Sequence, residues 1–356
     1  MLRSELQRVW TEDTTSILSR NLPWQRLSGA TVAVTGAGGF LGGYLVRTLL
    51  GLHPAGLLER PVRVLALVRN IDRARTQLGT MADNPELELR AWDLNHIAIP
   101  DLADCQYVLH AASQASPRYY GSDPVGTLLP NAVGTASLLK ALQGSSDPRG
   151  FLFVSSSEVY GQVSDTDALM ETDYGQLDPA SVRACYAESK RLGETLCVAW
   201  AQQYGLPTFI VRPFHTYGPG LLADDGRVFS DFAYNVARGE NIVMMSDGLA
   251  RRAFCYASDA IAGFFTVLLK GQPAMPYNVA NPEGELSVIE LAELLVSLYP
   301  DKGLKVDRRL PAADRNYLTS TFSRLIPDTR RLSGLGWSAE VSPEQGFRRM
   351  IEALTP

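Results

Sequence analysis

Apolar residues follow two alternating rhythms along this chain. Short apolar-rich runs at 31–35, 62–68, 87–92, 107–112, 151–155 and 209–213 have the length and make-up of buried strands. Between them, stretches such as 40–50 and 127–142 carry apolar residues at the spacing of helices. Strands that alternate with helices predict an α/β fold, a doubly wound parallel sheet covered on both faces, with ligands at the C-terminal ends of the strands. Ahead of the first strand, residues 1–28 read as a helical arm with Leu2, Leu6, Val9 and Trp10 on one face, ended by Pro23 and Gly29. After residue 215 the rhythm breaks up. Residues 216–246 are rich in Gly and Asp, 256–270 reads as a helix, and 280–356 mixes short strands and helices.

The first strand runs directly into Gly36-Ala37-Gly38-Gly39-Phe40-Leu41-Gly42 and then into a helix. Gly36, Gly39 and Gly42 allow a tight turn, close approach of backbone to a pyrophosphate at the helix's positive end, and close helix–strand packing. That context makes the fold Rossmann-like, with a dinucleotide-binding domain over 29–215 that 247–275 rejoins. Residues 216–246 and 276–356 are expected to form a smaller substrate-binding lobe over the cleft. The second strand ends at Arg69, where many such units carry an acid for the adenosine ribose; an arginine there suits a 2′-phosphate, so NADP stands beside NAD as a candidate. Asp93 and Leu94 close the third strand beside an expected adenine site, and Ala111, Ala112 and Ser113 close the fourth.

Of the 356 residues, 46% are hydrophobic and 20% charged, which fits a folded chain with a substantial core. A net charge of −5 argues against nucleic-acid or anionic-membrane binding. Cys105, Cys185, Cys197 and Cys255 lie far apart without zinc-ligand spacing, so reduced thiols, a cytoplasmic location and metal-independent chemistry are expected. No apolar run reaches the ~20 residues of a membrane span.

Chemistry concentrates at 183–194. Its Ala, Glu, Lys, Arg and Leu content predicts a helix, and a spacing of four puts Tyr186 and Lys190 on one face. A neighbouring ammonium and a cationic cofactor ring favour the phenolate of a tyrosine otherwise titrating near ~10. Ser156 and Glu158, two apart after the fifth strand, share a face if strand alternation continues. Glu158 can then move a proton; the lesser alternative is that Ser157 and Glu158 only cap the following turn.

Thr35-Gly36-Ala37-Gly38-Gly39-Phe40-Leu41-Gly42, Ser155-Ser156-Ser157-Glu158-Val159-Tyr160-Gly161 and Tyr186-Ala187-Glu188-Ser189-Lys190, in this order, resemble the extended short-chain dehydrogenase/reductases that modify nucleotide sugars. The chain looks most similar to UDP-glucuronate decarboxylases, through 112–120, 156–158, 183–197, 225–232 and 252–259. The resemblance implies bound NAD that takes a hydride from C4 of the sugar and later returns it, then decarboxylation, dehydration or epimerisation, in a homodimer. It implies Tyr186 as base on the 4-hydroxyl, Lys190 on the cofactor ribose, Ser156 on the same hydroxyl, and Asn131 and Pro213 at the cofactor. Ser116, Tyr119, His215, Arg227 and Arg252 fall at substrate positions. Three residues differ from these relatives: Arg69 replaces a ribose-binding aspartate, Pro130 a lysine near the sugar carboxylate, and His215 an asparagine. Oxidation at C4 leaves a ketone that accepts electrons from a neighbouring carboxylate or carbanion, which gives Glu158 a task at C5. A net NADPH-dependent reductase and a non-catalytic cofactor sensor are the alternative functions.

Overall fold

A computed structural model describes residues 4–95, 99–163, 168–223, 225–309 and 324–355. Leu2 of the expected arm and residues 310–323 of the expected second lobe lie outside these. Helix α1 (Ser4–Leu18) turns Val9, Trp10, Asp13 and Ile17 inward, on one helical face. The main sheet then begins with β1 (Thr31–Thr35), α2 (Phe40–Leu52), β2 (Arg63–Val68), α3 (Ile71–Leu78), β3 (Leu87–Ala91) and β4 (Tyr107–His110). Short helices α4 (Arg118–Ser122) and α5 (Pro124–Leu129) lead to α6 (Thr135–Gln143), β5 (Gly150–Val154), α7 (Cys185–Tyr204) and β6 (Thr208–Pro213).

The helix expected over 127–142 is interrupted. Pro130 has no N–H to continue the ladder, and the backbone widens into a π-turn at Pro130–Gly134 before α6. The fourth strand also stops at His110, so Ala111, Ala112 and Ser113 form the segment beyond its end.

Next come β7 (His215–Tyr217), α8 (Val228–Arg238), β8 (Ile242–Met244), β9 (Arg251–Tyr256), α9 (Ala257–Lys270) and β10 (Pro276–Val279). The described chain closes with β11 (Glu285–Ser287), α10 (Val288–Ser297), β12 (Val306–Arg308), β13 (Arg324–Leu325), α11 (Arg330–Ser333) and α12 (Pro343–Leu354). Seven strands form one parallel sheet in the order β10-β6-β5-β4-β1-β2-β3. The order reverses between β1 and β4, and their C-terminal ends flank the crevice where such sheets bind ligands. Strand β10 belongs to the second lobe by the sequence-based boundary at 276, yet it pairs with β6 at the edge of the main sheet. Its Tyr277, Asn278 and Val279 are buried, which a lobe-surface strand does not require.

A smaller sheet is centred on β9, paired with β7, β11 and β13, while β8 pairs with β12. A second apolar cluster covers it, built on Phe229, Phe254 and Phe347, with Tyr217 stacked on Phe347 at 3.9 Å between ring centroids.

Helix α1 is tied to both bodies by one carboxylate. Buried Asp13 accepts from the Tyr44 hydroxyl on α2 at 2.6 Å, the Tyr256 hydroxyl at 2.9 Å and Arg349 on α12 at 3.3 Å. Burial pushes its carboxyl up to about 6 against these three partners. The folded chain therefore binds more protons here than the unfolded chain between the ordinary 3.8 and about 6, and stability at this site falls as pH rises through that window. Asp13→Asn is expected to gain stability relative to the parent between pH 4 and 7, as measured by thermal unfolding at both values.

Candidate active site

The turn after β1 forms one wall of the crevice. Gly36 has φ +68°, and a Cβ there would lie 2.9 Å from the Ala112 Cα. A Cβ on Gly42 would stand 2.0 Å from the Gly36 carbonyl oxygen, so only glycine lets α2 start this close to the turn. Gly39 caps α2 without a side-chain bond, leaving the amides of Phe40, Leu41 and Gly42 at the helix's positive end. These features fit a dinucleotide pyrophosphate. Gly42→Ala is expected to destabilise by ~1–3 kcal/mol through overpacking and to abolish dinucleotide binding in a fluorescence titration.

Further along this wall, Arg69 is exposed beyond β2, and Asn70 caps α3 by accepting from the Arg73 amide. Asp93 accepts from the Asn95 amide and side chain, both at 3.0 Å. Leu94 is buried against Gly134 of the π-turn, where a Cβ would meet the Leu94 Cδ2 at 2.6 Å. The Ala112 amide donates to the Thr35 hydroxyl at 3.1 Å. The Ser113 hydroxyl is buried without a partner among the described residues. Pro213 ends β6 on the far side.

Tyr186 and Lys190 lie one turn apart on α7, both buried, with the Lys190 ammonium 5.8 Å from the centre of the Tyr186 ring. Tyr186 stacks on Tyr120 at 5.0 Å, and the Ser156 hydroxyl lies near enough to favour its ionised form. In the chain without cofactor, burial holds the Tyr186 phenol well above its ordinary value. The Glu158 charge adds to this, and Ser156, Arg227 and Arg183 work against it. Lys190 is itself pushed down to about 7 by burial and donates to the Val154 carbonyl at 2.6 Å.

Strand alternation does not govern Ser156 and Glu158, because β5 ends at Val154 and a 3-10 turn occupies Ser157–Tyr160. Ser156 caps that turn by accepting from the Glu158 amide at 3.2 Å, while Ser157 is buried within it. Glu158 is held from another direction. Arg183 grips both its oxygens at 2.8 and 3.3 Å and lies 4.8 Å over the Tyr120 ring. Tyr120 and Arg183 thus belong to the site although the sequence singled out Tyr119; the available signals were the adjacent aromatic pair and the place of Arg183 at the start of 183–194.

A buried histidine joins the two walls. The His110 Nδ1 lies 2.8 Å from the Thr35 hydroxyl, and Nε2 lies 3.2 Å from the Pro130 carbonyl and 3.1 Å from the Thr135 hydroxyl. Thr135 donates to the Asn131 carbonyl at 2.6 Å, which leaves its oxygen to accept from His110 Nε2–H and the Thr35 hydroxyl to donate to Nδ1. Burial pushes His110 down to about 3, so this neutral tautomer holds at neutral pH. Fully buried Asn131 donates through its side chain to the Ser189 hydroxyl at 3.1 Å, and its side-chain Oδ1 is without a partner among the described residues.

The smaller lobe supplies cations. His215 on β7 faces Phe254 of β9 in register, two residues from buried Arg252. Burial, with Arg252 and Arg227 adding, pushes His215 down to about 3; its Nδ1 is buried and unpartnered among the described residues. Arg227 is gripped through two nitrogens by Asp225, and Arg252 donates to the Arg251 carbonyl at 2.7 Å. Ser116, expected at the substrate, donates to the Asp225 carbonyl and is tied to the same loop as Arg227. Tyr119 is half-buried and receives Arg118 on its hydroxyl.

The model of the NAD-dependent epimerase/dehydratase family matches residues 32–280. The chain belongs to this family. As a member, it is an NAD-dependent enzyme acting on nucleotide-linked sugars, with NAD as the cofactor that its glycine turn fits. UDP-glucuronic acid decarboxylase 6 of Arabidopsis thaliana is 33% identical over 331 residues, covering 91% of this chain and 89% of the relative. UDP-glucuronic acid decarboxylase 1 of Xenopus tropicalis is 31% identical and covers 90% and 71%. Among solved structures, an epimerase of Methanothermobacter thermautotrophicus superposes with a TM-score of 0.78 at 20% identity, covering 95% of each chain. UDP-glucuronic acid 4-epimerase of Bacillus cereus, solved with UDP-glucuronic acid and NAD, superposes at 0.75 with 22% identity, covering 91% and 98%. Among the described residues no helix is long and apolar enough to cross a membrane.

Proposed function

We propose that this family member decarboxylates a nucleotide-linked uronic acid, with UDP-glucuronate as the first candidate, through transient oxidation at C4. The likeness to decarboxylases over nine-tenths of the chain supports the reaction. The observation that carries the site is the convergence of Ser156, Tyr186 and Glu158 at the C-terminal end of β5. Bound at the glycine turn, NAD would supply a reversible hydride acceptor for C4. Tyr186 removes the 4-hydroxyl proton while Ser156 donates to the same oxygen. Lys190, 5.8 Å from the centre of the phenol ring, supplies positive charge there in its protonated form. The C4 ketone takes up the electrons released as the C5 carboxylate leaves, and Glu158, steadied by Arg183, serves the proton transfer at C5. Arg227 and Arg252 offer permanent charge to the diphosphate.

Buried, unpaired thiols at all four cysteines support a cytoplasmic location. Exposed Val125, Val182, Leu192 and Val198 on and beside α5 and α7 support a homodimer through that face, which light scattering after size exclusion checks.

The decisive assay incubates the purified protein with UDP-glucuronate and other nucleotide sugars and follows product masses together with cofactor absorbance. Loss of 44 mass units with no net NADH supports decarboxylation. Steady consumption of added NADPH would instead indicate a reductase, and no turnover of any nucleotide sugar would sink the proposal.

A further inference from the structure

One acidic side chain of α7 lies outside the reacting set and is bonded to the segment that carries it. Tyr186, Lys190 and Glu194 occupy successive turns on one face of the helix. Glu194 is 12% exposed and its partner Arg212 on β6 only 3%. The Glu194 Oε1 accepts from the Ser155 hydroxyl at 2.5 Å and from Arg212 Nε at 2.9 Å, and its Oε2 accepts from Arg212 Nη2 at 2.7 Å. Arg212 is fixed in turn by the Glu171 carbonyl at 3.0 Å and lies 4.9 Å over the Tyr160 ring.

Gly193 makes the approach possible, since a Cβ there would stand 2.3 Å from the Phe153 ring of β5. Ser155 is the first residue past β5. Its amide is held by the Val211 carbonyl at 2.8 Å and its side chain by Glu194. Ser156 follows in extended conformation and must present its hydroxyl to Tyr186 while capping the 3-10 turn.

We infer that Glu194 is a positioning residue: it clamps Ser155 to the helix that carries Tyr186 and Lys190, and so sets where the Ser156 hydroxyl stands. This rests on the proposed roles of Ser156 and Tyr186. A buried Arg–carboxylate fork is rigid enough for the task, because both oxygens have fixed donors. The Glu194 charge also opposes the effect of burial on Lys190.

Ser155→Ala tests the clamp without leaving Arg212 unpaired, and Glu194→Gln tests it directly. In the cofactor-free protein, amide exchange of the 155–161 peptide followed by mass spectrometry is expected to rise about fivefold in both variants. Exchange in β4 and β6 should stay unchanged in Ser155→Ala. In turnover, kcat is expected to fall about tenfold with KM within about twofold, as for an interaction felt chiefly in the transition state. Unchanged exchange at 155–161, or unchanged kcat with faster exchange, would overturn the inference. If the parent protein turns over no nucleotide sugar, the proposed function fails, and the exchange data still decide whether Glu194 clamps Ser155.

Discussion

Tyr186→Phe is expected to lower kcat about a thousandfold, within the range that a positioned general acid–base contributes, with little change in Tm. The ring survives the substitution, and so does its stack on Tyr120 at 5.0 Å. What disappears is the hydroxyl that Ser156 engages and that the 4-hydroxyl proton must reach. Burial holds this phenol protonated in the cofactor-free chain, so its basicity depends on the positive charge brought to the site. The rate should therefore rise with pH until the phenol in the loaded enzyme has titrated. Steady-state kinetics from pH 6 to 10 checks both points, and a loss smaller than tenfold would remove Tyr186 from the reaction.

Lys190→Met is expected to move activity and stability in opposite directions. Turnover should fall more than about a hundredfold, because the cation beside the phenol is lost. The cofactor-free protein should become more stable at pH 6. The Lys190 ammonium is pushed from its ordinary 10.5 down to about 7, so the native state binds fewer protons than the unfolded chain between those values. Parent stability then rises with pH through that window, and below about 7 the fold bears the cost of a buried charge. Methionine carries no such cost, so its advantage should be largest at pH 6 and shrink toward pH 10. Each pKa unit corresponds to ~1.4 kcal/mol, which makes a few kcal/mol the upper limit, lessened by the lost bond to Val154. Thermal unfolding of both proteins at pH 6 and 9 measures it.

The alternation of strands and helices made the parallel sheet legible, because buried parallel strands read as apolar runs and the glycine turn follows the first of them. Strand β10 was not, since four residues after a break in pattern carry no periodicity of their own. Its place is set by pairing with β6. The helix over 127–142 was read through Pro130 because its apolar spacing continues on both sides, while the missing amide forces the π-turn. At the site, helical spacing put Tyr186 and Lys190 on one face, and their catalytic reading rested on the glycine turn, Ser156 and the family resemblance besides. The environment that sets their titration was not legible, because desolvation depends on what packs around them. The ties of Arg183 to Glu158 and of Glu194 to Ser155 span 25 and 39 residues, and local pattern carries no record of such partners.

The Asp13 clasp also bears on how the chain is made. Its donors stand 31, 243 and 336 residues away, so the last of them leaves the ribosome long after the helix itself. Strands β1 to β6 can assemble before that, since their residues precede 214. The open edge of β6 must wait for β10, and Trp10 and Ile17 of the first helix keep an incomplete cover until then. For much of its synthesis this chain therefore carries an uncovered apolar helix face and a bare strand edge, surfaces prone to aggregation until they are covered.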